Sequence, residues 1–135
     1  MSPEALAHLH ASAFTEDRPW SAAEFASLLS LPGTLLLGDA RAFLLGRIVL
    51  DEAEVLTLAT DPAHRRQGLA GLLLAQFEEE ARARGAAHAF LEVAEDNAAA
   101  RALYEGRGYR EVGRRPAYYA RPRAPVAALV LARAI

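Results

Sequence analysis

Apolar residues recur at helical spacing at the start of the chain. Leu6, Leu9 and Ala13 fall on one face of a helix with 3.6 residues per turn. The preceding Ser2-Pro3-Glu4 supplies a capping serine, a proline suited to the first helical position and an acid in the first turn. The pattern predicts a first helix that begins directly after Ser2.

A second helix start follows in the stretch PWSAAEFASLL. Ser21 and Glu24 have the spacing of a capping box, in which each side chain accepts a hydrogen bond from the other residue's backbone N–H. Trp20 and Phe25 occupy the two positions of a hydrophobic staple. The motif predicts a helix start and indicates no chemistry by itself.

Strand-like segments follow the Pro32-Gly33 break and are separated by the short turns Gly38-Asp39 and Asp51-Glu52. Connections this short join antiparallel neighbours, so the pattern predicts a three-stranded meander. The predicted strands are Thr34 to Leu37, Arg41 to Leu50 and Glu54 to Thr60.

The longest helical pattern runs from Gly68 to Arg84, and Gly85 provides its stop. A buried strand, a short helix and two more strands are predicted after it. They are Ala87 to Val93, Asn97 to Glu105, Tyr109 to Tyr119 and Val126 to Ala132. The chain shows no internal repeat and no linker, so the order of elements predicts one α/β domain over residues 1–135, with a sheet covered by helices.

Length and composition fit such a domain. The chain has 135 residues, 24% of them charged, and contains no cysteine. Its apolar runs are too short for a membrane span, and the N-terminal stretch carries Glu4 but no apolar segment of a signal peptide. We therefore expect a soluble, cytoplasmic protein.

Charge is distributed unevenly along the chain. Residues 1–100 contain 7 Arg and 15 acidic residues, whereas residues 101–135 contain 8 Arg and 2 Glu. The basic C-terminal third either faces an anion or forms a solvated basic surface. The four histidines form no metal-ligand pattern, and we expect no metal site.

The segment between Asp61-Pro62 and the long helix has the composition of an anion site. A strand that leads through a polar loop into a helix presents free N–H groups and the positive end of the helix dipole. Gly68 allows close approach of the backbone, and Arg65 and Arg66 add positive charge. The spacing matches neither the P-loop of nucleoside triphosphatases nor the dinucleotide fingerprint. A polar loop without a ligand remains the alternative.

This loop resembles that of a known family. Arg65-Arg66-Gln67-Gly68-Leu69-Ala70 is similar to the Q/R-x-x-G-x-G/A signature of the GNAT superfamily of acetyl-CoA-dependent N-acetyltransferases. The blocks PWSAAEF, VLDEAEVLTLATDPAHRRQGLAGLLL and FLEVAEDNAAARALYEGRGYREVGRRPAYY follow the pattern of its RimI-like branch, the ribosomal-protein-alanine N-acetyltransferases. The resemblance covers Trp20 to Tyr119 and extends over several separate motifs.

The resemblance implies a GNAT-type domain, with a mixed central sheet and helices on both faces. Members usually have a strand before the first helix, whereas only Met1 and Ser2 precede Pro3 here. We expect the sheet to lack that edge strand, unless the true start lies upstream.

The resemblance also implies an acetyl-CoA site in a V-shaped opening between the strands that end at Thr60 and Val93. The pantetheine arm is expected along one strand and the pyrophosphate at the loop. The cofactor-binding residues implied are Leu58, Ala59, Thr60, Arg65, Arg66, Gln67, Gly68, Leu69, Ala70, Gly71 and Asn97.

Two catalytic residues are implied. Glu92 points to the face opposite Leu91 and Val93, where it is either a solvated strand residue or, by resemblance, the general base. Tyr104 is either an aromatic core residue or, by resemblance, the proton donor to the leaving thiolate, and the two roles are compatible. Asn97 is a natural N-cap that is also expected to contact CoA.

The acceptor is less defined than the donor. By resemblance it is the N-terminal α-amine of a ribosomal protein. A small-molecule amine and a CoA-binding module without turnover are the alternatives, because the proline-rich stretch YARPRAPVAALVL departs from the acidic turn of the RimI-like pattern. We expect no membrane partner and no specific binding of nucleic acid.

Overall fold

The computed structural model describes residues 1–135. In it, two helices form where the N-terminal sequence patterns predict them. Helix α1 (Pro3–Ala13) is capped by Ser2, whose hydroxyl accepts a hydrogen bond from the N–H of Ala5 at 3.1 Å. Helix α2 (Ala22–Leu29) begins with the complete Ser21–Glu24 capping box. Both predicted helix starts are confirmed.

A six-stranded sheet occupies the centre of the molecule. Its strands are β1 (Thr34–Asp39), β2 (Ala42–Val49), β3 (Glu52–Thr60), β4 (His88–Ala94), β5 (Arg110–Tyr119) and β6 (Val126–Ala134). Their spatial order is β1-β2-β3-β4-β6-β5, in which only β3 and β4 pair in parallel. The predicted meander of the first three strands and the mixed sheet are confirmed, and no strand precedes α1.

Helices α3 (Leu69–Ala83) and α4 (Ala98–Gly106) follow β3 and β4, respectively. A single 3₁₀ turn, Pro62–His64, joins β3 to the loop before α3. None of the four helices is both long and apolar enough to cross a membrane.

The sheet is covered on both faces, because side chains on β2 alternate between two cores. Phe43 and Leu45 pack with α1 and α2, whereas Leu44 packs with α3. At Gly46 the ring of Phe77 lies against the backbone, in space that any side chain would fill. This contact brings α3 close to the sheet and positions the helix start beside the end of β3.

Most arginines of the C-terminal third form ion pairs within the protein. Six of the eight form ion pairs: Arg101, Arg107, Arg114, Arg115, Arg121 and Arg133. Five of these six contact acids from the first 100 residues, such as Glu78 and Glu92. The uneven charge along the sequence therefore becomes intramolecular pairing, and only Arg110 and Arg123 of this group lack an acidic partner.

Candidate active site

The parallel strands β3 and β4 separate halfway along their length. They pair from Glu52 opposite His88 to Val55 opposite Leu91 and no further. Directly after Val55 the pairing of β3 with β2 skips Leu56, which is a β-bulge. The bulge bends β3 away from β4, so the backbone edge of β3 beyond it has no strand partner.

The bulge also reverses which side chains face which core. Before it, Val55 packs on the α3 side of the sheet; after it, Leu58 does so, and Ala59 packs with α1 and α2. Leu58 is thereby directed into the opening between the strands, next to the start of α3.

The loop from His64 to Gly71 leads into α3 without a capping side chain. Helices α1, α2 and α4 are each capped by a serine or asparagine, whereas the N-cap of α3 is Gly68, at φ +73°. Arg66 also has a positive φ, +64°, which is costly for a residue with a Cβ. The N–H groups of Leu69, Ala70 and Gly71 have no hydrogen-bond partner in the protein. Free N–H groups at a helix start can bind an anion, and Arg65 and Arg66 line the same part of the molecule.

Two adjoining cavities fill this region. One, of about 610 Å³, lies against the loop and the start of α3. The other, of about 500 Å³, lies in the gap between β3 and β4 and continues to the connection between α1 and α2. Leu58, Ala99, Ala100 and Tyr104 line both, so the two form one continuous cleft.

The cleft brings together almost all of the residues selected from the sequence. Its loop half contains Leu58, Thr60 and all seven residues from Arg65 to Gly71. Its inner half contains Glu92, Asn97 and Tyr104. Ala59 is the exception, because its side chain is buried on the other face of the sheet; only its backbone lies along the unpaired edge.

Glu92 lies on β4, and its side chain points to the opposite face of the sheet from the buried Leu91 and Val93, as the alternation of strand side chains predicts. Its side chain is 31% exposed and is paired with Arg115 of β5, whose Nε lies 2.8 Å from Oε1. Half-buried Glu54 of β3 lies nearby: burial, and to a smaller extent the charge of Glu92, raises the pKa of Glu54. Glu92 is therefore a carboxylate at the cleft with one arginine partner, neither fully solvated nor buried.

Tyr104 is held by the core and open to the cleft. Its ring packs edge-on against that of Tyr109, with 5.9 Å between the centroids, and 7% of the residue is exposed. Its hydroxyl makes no hydrogen bond within the protein, and burial raises its pKa to about 12. The hydroxyl is thus protonated at neutral pH and has room for a partner in the cleft.

Asn97 caps α4, because its side-chain oxygen accepts a hydrogen bond from the N–H of Ala100 at 3.2 Å. The predicted N-cap is confirmed. The cap occupies the oxygen and leaves the side-chain N–H₂ group available to the cleft, which Asn97 also lines.

The sequence patterns missed two features of this region. The first is the bulge; its signal is the change of phase in EVLTLAT, where adjacent apolar residues stand on both sides of Thr57. The second is the aromatic wall of the inner cleft, where His10 stacks on Trp20 with 5.0 Å between the ring centroids. That contact joins residues ten positions apart and depends on how α1 meets α2.

Comparisons with known proteins agree with the fold. A family model described as Acetyltransferase (GNAT) family matches residues 4–109. The [ribosomal protein bS18]-alanine N-acetyltransferase of Escherichia coli is 42% identical over 106 residues, covering 75% of this chain and 71% of that protein. The N-alpha-acetyltransferase RimI of Mycobacterium tuberculosis is 38% identical over 122 residues, covering 84% and 75%, respectively.

A solved structure extends the similarity to the whole chain. The crystal structure of the ribosomal-protein-S18-alanine N-acetyltransferase from Escherichia coli superposes with a TM-score of 0.88 at 36% identity. The superposition covers 98% of this chain and 87% of that one.

Proposed function

The chain belongs to the Acetyltransferase (GNAT) family, and from this premise we propose that it transfers the acetyl group of acetyl-CoA directly to the N-terminal α-amine of a protein, in the first place a ribosomal protein. The observation that carries the proposal is the continuous cleft, in which an uncapped helix start, Glu92 and Tyr104 lie around the gap between β3 and β4.

The residues present fit acetyl-CoA. The free N–H groups at the start of α3 and the adjacent Arg65 and Arg66 suit a pyrophosphate, which carries negative charge on several oxygens. The unpaired edge of β3 from Leu58 to Thr60 offers backbone groups to the amides of a pantetheine arm. Asn97 adds an amide donor deeper in the cleft.

Bound acetyl-CoA supplies an activated acetyl thioester, and the chain's own groups manage the protons. We assign Glu92 as the base that removes a proton from the acceptor ammonium, directly or through one water, because an ammonium has no lone pair for attack. The new bond joins the amine nitrogen to the acetyl carbon, and the bond from that carbon to sulfur breaks. The nitrogen releases its second proton to water as the amide forms. Tyr104 donates its proton to the departing sulfur, a role that suits a hydroxyl that is protonated and free of protein partners. Water returns a proton to Tyr104 after the transfer.

The character of the inner cleft favours a cationic acceptor of modest basicity. Four acidic side chains and two arginines line it. An α-amine has a reference pKa of about 7.7–8.0 and a lysine side chain about 10.4, so a single carboxylate deprotonates the former far more readily. The sequence similarity to N-acetyltransferases named for an alanine terminus supports the same choice.

A direct assay tests the acceptor. The purified enzyme is incubated with acetyl-CoA and one of three acceptors: a hexapeptide with a free N-terminal alanine, the same peptide blocked at its N-terminus but containing lysine, and spermidine. We expect acetylation of the free α-amine only, located by fragmentation mass spectrometry. Acetylation of spermidine alone would assign a small-molecule acceptor. Tight binding of acetyl-CoA without any turnover would assign a binding module.

A test in cells addresses the ribosomal acceptor. Mass spectrometry of ribosomal proteins from cells with and without this enzyme is expected to show one N-terminal acetyl group that is lost in its absence. Unchanged N-termini would contradict the ribosomal part of the proposal while leaving the chemistry intact.

A further inference from the structure

Arg121 lies at the far end of the cleft, in the turn of residues 120–125 that connects β5 to β6. Its side chain is only 9% exposed, although it carries a full charge. It lies against the ring of Tyr119, with Cζ 5.6 Å from the ring centroid. Buried arginines are held by paired acids, and this one has three.

The acids come from two other connections of the fold. Arg121 donates to both carboxylate oxygens of Asp96, at 2.8 and 3.1 Å, in the connection between β4 and α4. It donates from Nη1 to Asp17 at 2.8 Å, and its Nε lies 3.2 Å from Glu16, both in the connection between α1 and α2. One guanidinium therefore joins three separate chain segments.

The backbone contributes little to holding two of these segments, although the Arg18–Glu24 pair and the hydrogen bond from Trp20 to His10 also restrain the end of the α1–α2 connection. The backbone N–H groups of residues 15–18 form no hydrogen bond with the protein, and neither do those of Ala120, Arg121, Arg123 and Ala124; Pro122 and Pro125 have no N–H. Segments without backbone hydrogen bonds open easily unless side chains restrain them. Glu16, Asp17 and Arg121 all line the inner cleft, so the same contacts that restrain the segments also shape its wall.

We propose that Arg121 is a positioning residue for the acceptor: its ion pairs clasp the α1–α2 connection to the β5–β6 turn and fix the acceptor end of the cleft. The inference rests on the proposed function, since it assigns this end to the acceptor and the loop half to acetyl-CoA. It also gives a role to the turn in which this sequence departs from the acidic RimI-like pattern.

Two variants with opposite effects on the charge of the cleft distinguish a clasp from a purely electrostatic effect of Arg121 on a charged acceptor. Arg121→Gln makes the cleft more negative, and Asp17→Ala makes it less negative. A clasp predicts the same result for both, an acceptor KM raised about tenfold with kcat changed less than threefold and the Kd for acetyl-CoA unchanged. An electrostatic field alone predicts KM changes of opposite sign. Arg123→Gln, in the same turn but exposed and without an ion pair, is the matched control and is expected to leave all three values unchanged.

Hydrogen exchange of the free enzyme tests the clasp without any acceptor. Arg121→Gln is expected to speed exchange of the hydrogen-bonded amides beside the clasped segments, those of Phe14, Trp20, Ser21 and Asn97, while that of Leu72 in the first turn of α3 keeps its wild-type rate. If Arg121→Gln does not fold, Asp17→Ala carries the same test.

The outcomes distinguish the two proposals. A wild-type enzyme that acetylates no protein N-terminus contradicts the proposed function, and the exchange result then decides on the clasp alone. Unchanged exchange, or an acceptor KM within twofold of wild type in both variants, overturns the clasp. A uniform loss of kcat and of acetyl-CoA affinity assigns Arg121 a purely structural role and also overturns it.

Discussion

The guanidinium of Arg115 reaches across the intervening strand β6 to the carboxylate of Glu92, with Nε 2.8 Å from Oε1. The residue proposed as base is therefore engaged by a cation before any acceptor arrives. The Arg115 side chain is 61% exposed, so the pair contributes little to stability.

Replacing Arg115 with methionine is expected to raise kcat/KM for the acceptor about two- to fivefold at low salt, because the carboxylate no longer shares its oxygen with a guanidinium. The gain should shrink in 0.5 M salt, which screens an exposed pair. Steady-state kinetics at two ionic strengths measure both effects. Arg110→Met, on the same strand but without an acidic partner, is the control; lower activity in Arg115→Met would mean that the arginine orients Glu92 instead.

Tyr104→Phe is expected to lower kcat about 100-fold, within the usual range for loss of a general acid, while the Kd for acetyl-CoA stays unchanged. Since burial raises the pKa of Tyr104 to about 12, the loss should be constant from pH 6 to 9. Tyr109→Phe provides the comparison, because its hydroxyl donates to Glu78 at 2.9 Å and it is buried in the core. That variant should lose stability but keep kcat within threefold. Equal kcat values for the two variants would remove Tyr104 from the mechanism.

Gly68→Ala is expected to weaken acetyl-CoA binding three- to tenfold. Space does not prevent the change, since no atom lies within 4 Å of an added Cβ, but the φ of +73° is strained for alanine by roughly 1–2 kcal/mol. Relief of that strain rotates the N–H groups at the start of α3 away from the bound anion. Isothermal calorimetry measures the Kd. Gly85→Ala, at φ +93° beyond the end of α3, should lower the stability of the protein by a similar amount without changing the Kd. A similar loss of acetyl-CoA affinity in Gly85→Ala would mean that the loss in Gly68→Ala does not come from the N–H groups at the start of α3.

The fold and the position of the loop half of the cleft could be predicted because their signals are local. Caps such as Ser2 and Asn97, the alternation around Glu92 and the loop before α3 lie in short, continuous stretches. The far end of the cleft, the proposed acceptor end, could not be predicted, because its contacts join residues far apart in sequence, as Arg121 joins Asp17 over 104 positions. Composition showed the excess of arginine near the C-terminus but gave no means of pairing each arginine with its acid.

The same long-range pairing produces a buried charge network that stability measurements can test. Glu78 of α3 is completely buried, pairs with Arg107 and Arg133 and accepts a hydrogen bond from Tyr109. Glu78→Gln keeps the size and removes the charge, which leaves two arginines without their partner. We expect a loss of about 3 kcal/mol, or a Tm lower by about 10 °C for a domain of this size. Glu79→Gln, exposed on the same helix, should change Tm by less than about 2 °C, in the range of ordinary surface substitutions.

His10 links stability to pH in the range where few other groups titrate. Its ring lies among Phe14, Trp20 and Phe25, and its Nδ1 accepts a hydrogen bond from the N–H of Trp20 at 3.3 Å. Its pKa is lowered to about 4, mainly by burial. The charge of Glu24 opposes this shift, and the charge of Arg18 adds to it. A protonated ring cannot accept that hydrogen bond, because both nitrogens then carry hydrogen.

The sign of the dependence follows from the lowered pKa. The unfolded chain protonates His10 near pH 6.5, whereas the folded chain does so only near pH 4, so the unfolded state binds more protons between these values. Stability from this group is complete above pH 6.5 and is lost as pH falls towards 4, by about 3 kcal/mol. His10→Asn keeps an acceptor for the Trp20 N–H but does not titrate. Thermal unfolding from pH 7.5 to 4 should therefore show the Tm of wild type falling relative to that of His10→Asn as the pH falls through this window. His8→Asn, exposed on the same helix, should run parallel to wild type, and a constant difference for His10→Asn would show that the histidine does not cause the pH dependence.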